Sequence, residues 1–321
     1  VGRYIIRRVL WVVFVLLFIT LLTYLIFFIM PPTDPAVHFA GRMPTPELIA
    51  EVRRQFGLTR PPWIQFGLFV KRIFLGDEYG WPGMGFSFVT RSALKPILLG
   101  RLIVTAQLAM GAAVVWIALG IPIGILSALK PRSAFDRAAM GFALVGVSAP
   151  AFWLGLLMLY AFWFRLRIAS GTGYVPVYQG FFPWVNHFIM PWFVLAFLAA
   201  AFYARMVRGN LIETMSEDYI RTARAKGLSE RKVVMHHGLR ASLTPVITMF
   251  GMDLADLLGG AVITETVFNL PGMGHYAVQA VFNGDLYAIV DVTLIAAFFV
   301  VVANLIVDIV YAFLDPRVRY S

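Results

Sequence analysis

The sequence predicts an all-α polytopic membrane protein with six transmembrane helices, and three observations carry that reading. The 321-residue chain is 60% hydrophobic and only 14% charged, against roughly 45–50% and about 25% in an average soluble domain. Its apolar residues gather in six long runs, at 9–30, 102–129, 138–164, 188–204, 241–268 and 286–314. Of 27 basic and 17 acidic residues, only Asp253, Asp256, Glu265, Asp291 and Asp308 fall inside those runs. This partitioning excludes a soluble enzyme and a disordered chain. The absence of cysteine excludes a disulfide scaffold, a thiolate metal site and a cysteine nucleophile.

Each run has, or nearly has, the ~20 residues a helix needs to cross ~30 Å of hydrocarbon. A closed barrel would show alternating segments of ~10 residues instead. The first run follows Arg3, Arg7 and Arg8 and ends in Met30-Pro31-Pro32. It is longer than the ~7–15 residues of a signal-peptide core and lacks a small-residue cleavage site, so it reads as a retained first span.

The segment 31–101 holds structure of its own. Thr45 is placed to cap a helix with Pro46 at its first position, and Gly57 stands where a helix C′ residue belongs. Leu48, Val52 and Phe56 form one apolar stripe there. A second stripe runs through Trp63, Phe66, Phe69, Val70 and Ile73, with Lys71 and Arg72 on the other side. Both are predicted to be interfacial helices on the outer surface, followed by a Gly/Pro-rich loop at 76–86. Further along, Gly120-x-Pro122-x-Gly124 and Ser148-x-Pro150 mark kinks or close helix packing. Trp153, Trp163, Phe164, Trp184 and Trp192 are predicted to form an interface belt.

Basic residues set the orientation. With the N-terminus inside, the cytoplasmic segments hold Arg3, Arg7, Arg8, then Lys130, Arg132 and Arg137, eight basic residues from Arg205 to Arg240, and Arg317 and Arg319. The short outer loop holds only Arg165 and Arg167; the long segment 31–101 holds nine, but long loops count weakly. Both termini are therefore expected inside. The net charge of +10 is explained by residues flanking the spans, so no nucleic-acid partner is expected. No His-Glu-x-x-His, Gly-x-Ser-x-Gly, Walker-type or dinucleotide motif occurs. The adjacent His236 and His237 point in different directions on a helix and make a poor metal site. No catalytic or metal role is expected of the chain.

The segment between the fourth and fifth runs is the informative one. Ser216 suits an N-cap, with Glu217 and Asp218 complementing the positive helix end. Arg224 and Lys226 suit the negative end, Gly227 with Leu228 fits a Schellman turn, and Ser229 is placed to cap a second helix at Glu230. A rigid helix–Gly turn–helix results, with small Ala223 and Ala225 beside Tyr219 and Leu228 in a compact knob ringed by Arg.

The run from Arg221 to Gly227, followed after nine residues by His237-Gly238-Leu239, resembles the EAA loop of ABC importer permeases (Glu-Ala-Ala-x3-Gly-x9-Ile-x-Leu-Pro). More closely, DYIRTARAKGLSERKVV at 218–234 is similar to the first (B-type) membrane subunit of the dipeptide/oligopeptide permease family. The resemblance extends to RYIIRRVL, Asp34-Pro35, FGLTRPPWIQF, GIPIGILSALK, SAPAFWLG, GGAVITETVFNLPGMG and LIVDIVYAFLDPRVRY. Departures from the general pattern are Arg221 and Thr222 for Glu-Ala, His237 for Ile and Arg240 for Pro; all resemble this subfamily's variant. The resemblance implies a type I ABC importer permease fold in a prokaryotic plasma (inner) membrane. It divides the chain at 1–100, a first span with an extracytoplasmic segment, and 101–315, a permease core containing the coupling loop 209–241. It implies, as partners, a homologous C-type second permease subunit, two ATPase subunits that use ATP and Mg, an extracytoplasmic binding protein and a peptide substrate. No cofactor is then bound by this chain. Tyr219, Arg221, Thr222, Ala223, Ala225, Gly227, Leu228, His237 and Leu239 would form the ATPase-coupling element.

Two readings stand for the carboxylates of the fifth run. Asp253 and Asp256, three residues apart, share one helix face. They either line an aqueous path that attracts substrate ammonium groups, or hydrogen-bond neighbouring helices and broken backbone near Gly259-Gly260. Glu265, before Pro271-Gly272-x-Gly274, either lines the path or holds that turn. Asp308 is placed to snorkel or to pair with Arg205 or Arg208. A proton-coupled secondary transporter using Asp253 and Asp256 is the rival class, and it has no need of the basic helix–Gly–helix loop.

Overall fold

The computed structural model describes residues 2–30, 34, 36–37, 40 and 45–314, with the side chains of 2–4, 55–56 and 310–314 set aside. Pro35, His38, Arg317 and Arg319, and the side chains of Arg3 and Phe56, lie outside the described residues. In chain order the helices are α1 (Gly2–Tyr24, continued by a π turn Leu25–Ile29), α2 (Pro46–Phe56), α3 (Pro62–Leu75), α4 (Leu94–Leu129), α5 (Ala134–Ser148) and α6 (Ala151–Met158, then a π turn Leu159–Arg165). They continue as α7 (Phe181–Ser216), α8 (Asp218–Ala225), α9 (Glu230–Lys232), a π turn Val233–Gly238, α10 (Leu239–Ser242), α11 (Thr244–Leu258), α12 (Val262–Val267), α13 (Met273–Asn283) and α14 (Leu286–Leu314). A small antiparallel pair, β1 (Phe86–Ser87) and β2 (Ser92–Ala93), precedes α4.

Among the described residues four helices are long and apolar enough to cross a membrane: Ile5–Ile29, Leu94–Leu129, Phe181–Ser216 and Leu286–Ile309. Two further apolar helix pairs are bent, by 105° between Ala134–Ser148 and Ala151–Arg165, and by 47° between Glu230–Ser242 and Thr244–Leu258. Counting each pair as one span gives up to six by length and composition, with all but Ser242 of the first helix of the second pair falling within the loop 209–241. The third apolar run is thus not one helix. Pro150 offers no N–H and drives Ala149 into an extended conformation, φ −77° and ψ 126°. The fifth run is likewise interrupted, near Thr244-Pro245 and again at Gly259-Gly260, where Gly260 has φ +126°. The fourth span is longer than its apolar run at both ends.

The chain divides into two compact units. One comprises Val1–Ala106, Ala255–Glu265 and Pro271–Leu305. Its core is built from Tyr24, Phe28, Val52, Phe69, Leu98, Tyr276 and Tyr287, among others. The caps of α2 are as the residues dictate: Thr45 Oγ1 accepts from Leu48 N at 3.3 Å, and Gly57 is left-handed at φ +60°. The stripes of α2 and α3 turn Val52 and Phe69 fully inward, whereas Trp63 is exposed. Arg72 departs from its expected place on the polar side of α3. Three residues from Phe69, it shares that face, and its guanidinium lies 4.5 Å from the Tyr287 ring centroid with two nitrogens buried.

The other unit comprises Gln107–Leu254, Thr266–Leu270 and Ile306–Ser321. Here α4 and α7 pack backbone to backbone. A Cβ at Gly120 would meet Ala200 O at 3.0 Å, and one at Gly124 would meet Ala204 O at 2.7 Å. The Gly-x-Pro-x-Gly sequence therefore serves close packing, and α4 continues through Pro122. Trp184 and Trp192 are half-buried: their indoles pack 5.2 Å apart and donate to Gln107 Oε1 and Gln107 O, both at 3.1 Å. Trp153, Trp163 and Phe164 are exposed.

Candidate functional site

The helix–Gly turn–helix forms from local rules. α7 runs unbroken to Ser216, so Ser216 is not the cap of α8; its hydroxyl donates back to Glu213 O at 2.6 Å. Glu217 takes the extended N-cap conformation instead, φ −65° and ψ 150°, without a side-chain cap bond. α8 ends in the predicted Schellman turn. Gly227 has φ +76°, its N–H donates to Arg224 O at 2.9 Å, and Leu228 N donates to Ala223 O at 3.4 Å. Ser229 stands at the N-cap of α9, again without a side-chain bond. Arg224 clamps the turn by donating to Glu230 from Nε at 3.1 Å and from Nη2 at 2.7 Å. That hydrogen bond holds the Glu230 carboxyl below its ordinary range and raises the Arg224 guanidinium.

A small core seats this element. Ile220, Ala223 and Val233 are buried together, with Met215 and Leu228 packed beside them. Ile220, Val233 and Met215 were missed in the sequence, because they lie on three different elements and no common helical spacing marks them. The predicted coupling residues consequently divide. Tyr219, Arg221, Thr222, Ala225 and Gly227 are exposed, Leu228 and His237 are half-buried, and Ala223 and Leu239 face inward. Thr222 Oγ1 donates to Asp218 O at 2.9 Å and Arg221 Nη1 to Asp218 Oδ1 at 3.2 Å, so the outward face of α8 is held in order by its own first turn.

The carboxylates of the fifth run have three different environments. Asp253 accepts from Tyr203 OH at 2.6 Å, which ties α11 to α7. Asp256 is exposed. Glu265 is fully buried and holds the following turn: Oε1 accepts from Thr105 Oγ1 at 2.6 Å and Oε2 from His275 N at 2.9 Å. Thr105 Oγ1 in turn accepts from Met273 N at 2.8 Å. Gly272 lies over the carboxylate with no room for a Cβ.

Asp136 is a further residue that sequence reasoning missed. It is buried and accepts from Arg208 Nε at 2.6 Å and Nη2 at 2.9 Å, from Arg132 N at 2.8 Å, and from Ser127 Oγ. Ser133-x-x-Asp136 is legible as a helix start, and Ser133 Oγ does accept from Asp136 N at 3.1 Å. The sequence held no signal that Arg208, considered for Asp308, is engaged by Asp136.

The geometry agrees with the comparisons. Residues 120–320 match the family described as binding-protein-dependent transport system inner membrane component, and residues 1–109 match its N-terminal membrane-component family. The chain is similar to a putative peptide transport system permease protein of Brucella abortus (strain 2308), 37% identical over 99% of both chains. It is also similar to the dipeptide transport system permease protein DppB of Escherichia coli K12, 34% identical over 99% of both. A solved structure of the MetNI methionine ABC transporter in inward-facing conformations shares the fold, with TM-score 0.54 and 19% identity over 69% of this chain and 98% of that one. This multi-pass chain therefore belongs to the binding-protein-dependent transport system inner membrane component family, as a membrane-spanning permease subunit of an ABC transporter.

Proposed function

We propose that the chain forms half of the translocation pathway of an ATP-driven peptide importer in the plasma (inner) membrane of a prokaryote. A homologous C-type permease subunit supplies the other half, and an extracytoplasmic binding protein delivers the peptide. Two ABC ATPase subunits bind ATP and Mg and hydrolyse the nucleotide; this chain performs no chemistry itself. The observation that carries the reading is α8. It is an exposed two-turn helix seated on its own small core and joined through one extended residue to the 36-residue α7. A permease without a nucleotide site must receive ATP energy mechanically, and a rigid element at the end of a long helix is suited to that.

Peptide cargo is supported by the relatives, which carry peptide and dipeptide transport names at 34–37% identity over nearly the whole chain. Asp256 adds a physical argument. A carboxylate exposed on a membrane helix has to face water or protein rather than lipid, so that face of α11 is assigned to the aqueous pathway or to the second permease. The test is dipeptide uptake by the complete transporter in vesicles. Uptake should require ATP and the binding protein and ignore an imposed pH gradient. Uptake that follows the pH gradient and needs no ATP would establish the secondary transporter instead.

A further inference from the structure

We infer that the pair of buried Asp136 and half-buried Arg208 is the joint through which movement of the coupling helix reaches α4 and α5. This rests on the reading of α8 as the ATPase-docking element. The geometry starts in the turn between α4 and α5, where Arg132 is left-handed at φ +62° and aims its N–H at Asp136. Asp136 Oδ1 receives Arg208 Nε and Ser127 Oγ; Oδ2 receives Arg208 Nη2 and Arg132 N. One carboxylate thus gathers the end of α4, the start of α5 and the lower part of α7, with both oxygens saturated. The Arg–carboxylate fork is bidentate, so it restrains angle as well as distance. Arg208 keeps a quarter of its side-chain surface exposed, while Asp136 keeps only 5%.

Two neighbouring features make this a joint. On one side, Gly120 and Gly124 hold α4 against α7 at backbone contact, so α4 has little freedom to let α7 slip past. On the other side, α7 continues as an unbroken helix from Arg208 to Ser216, a span of about 12 Å. Along that span Leu211 is fully buried, Met215 packs into the core beneath α8, and Asn210 Nδ2 donates to Ser242 O at 3.3 Å. A displacement of α8 therefore arrives at Arg208 with no flexible break except Glu217. Asp136 then passes it to two other helices at once.

The experiment uses the complete transporter with its binding protein in vesicles. It measures peptide taken up per ATP hydrolysed, and ATPase retention on size-exclusion, for Asp136→Asn, Arg208→Gln and the double variant. We expect ATPases retained, hydrolysis continuing, and uptake per ATP lower by about tenfold, within the usual range of coupling factors. The double variant should be no worse than either single, because both break one link. Ser127→Ala and Arg208→Lys keep the buried charges and decide the matter if the first variants do not assemble; each should lower the ratio by about twofold. An unchanged ratio in the assembled variants, or losses that add in the double, would overturn the joint. Gly227→Pro serves as the separate control. If it retains ATPases and transports normally, the docking role of α8 has failed, whatever Asp136 does.

Discussion

The α8 turn and the Glu265 turn are built by opposite means. Around Gly227 the chain holds itself with bonds between residues at most six apart, Arg224–Glu230 the longest, over a core of three buried side chains. Its outward face is left open. Around Glu265 two of the bonds cross 160 and 168 residues of sequence and a third, from His275 N, crosses ten; the carboxylate and Thr105 are fully buried, and glycines at 272 and 274 allow backbone to lie against side chain. A local, exposed turn suits an element that meets a partner and moves as one body. A long-range, desolvated turn suits a fixed point, because every broken bond there leaves a buried group unmet. The difference teaches where a substitution should disturb function and where it should disturb the fold.

The largest effect is expected at the fixed point. Glu265→Ala strands the Thr105 hydroxyl and the His275 N–H in a buried site, at a cost on the order of 3 kcal/mol. The detergent-solubilised protein should lose thermal stability, read by its melting transition, and Glu265→Gln should lose less. If Glu265→Ala melts like wild type, the turn is not held by that carboxylate and the contrast collapses.

At the Gly227 turn, proposed as the coupling element, the expected loss is functional. Gly227→Pro removes the N–H that reaches Arg224 O and imposes a negative φ where the chain needs +76°. Melting of the isolated subunit should change little, while ATPase subunits should be lost on size-exclusion and uptake with them. Ala223→Glu is predicted to act differently from a surface change. Ala223 is packed with Ile220 and Val233, so the glutamate should unseat α8 from beneath.

Asp253 and Asp256 lie between the two extremes. Asp253→Asn still accepts from Tyr203 and should cost no more than the ~1–2 kcal/mol of an interhelical polar contact. Asp256→Asn removes an exposed charge and should lower uptake only modestly. Transport assays in vesicles with and without a pH gradient check both; abolition of uptake in either variant at every pH would favour a proton relay.

The smallest effect belongs to the exposed Arg224–Glu230 pair. Glu230 is held below its ordinary range of about 4.5 by Arg224. Its contribution to holding the turn is therefore present above that value and lost as pH falls through the lowered one. Amide protection across 226–233, taken relative to the intrinsic exchange rate at each pH, should fall in acid or in Glu230→Gln, with the global melting transition unchanged. A global change would mean that this pair reaches beyond its own turn.

Much of the fold was legible because membranes impose simple constraints. Pro46 at a helix start and Gly57 and Gly227 at helix ends each depend on residues close in sequence, and each took the predicted form, whereas the third and fifth of the six apolar runs did not form single helices. Ser216 did not, because a helix already running from Phe181 overrode a local cap. Arg72 was placed on the polar side of its helix from the apolar stripe, yet its guanidinium found the Tyr287 ring. Amphipathic side chains suit either place, and only the neighbour decides.

The sequence by itself determined the class of protein, the helical character of its spans and the shape of the Gly227 turn. It did so because apolar length and the φ demands of glycine and proline are properties of single segments. Tertiary structure chose between the two readings of Glu265, which closes its turn, and alone decided that Asp253 holds Tyr203 and that Asp136 takes Arg208. A carboxylate on an apolar helix states only that it needs a partner or water. Which partner it finds depends on which helix packs beside it, and no residue near it in the chain carries that information.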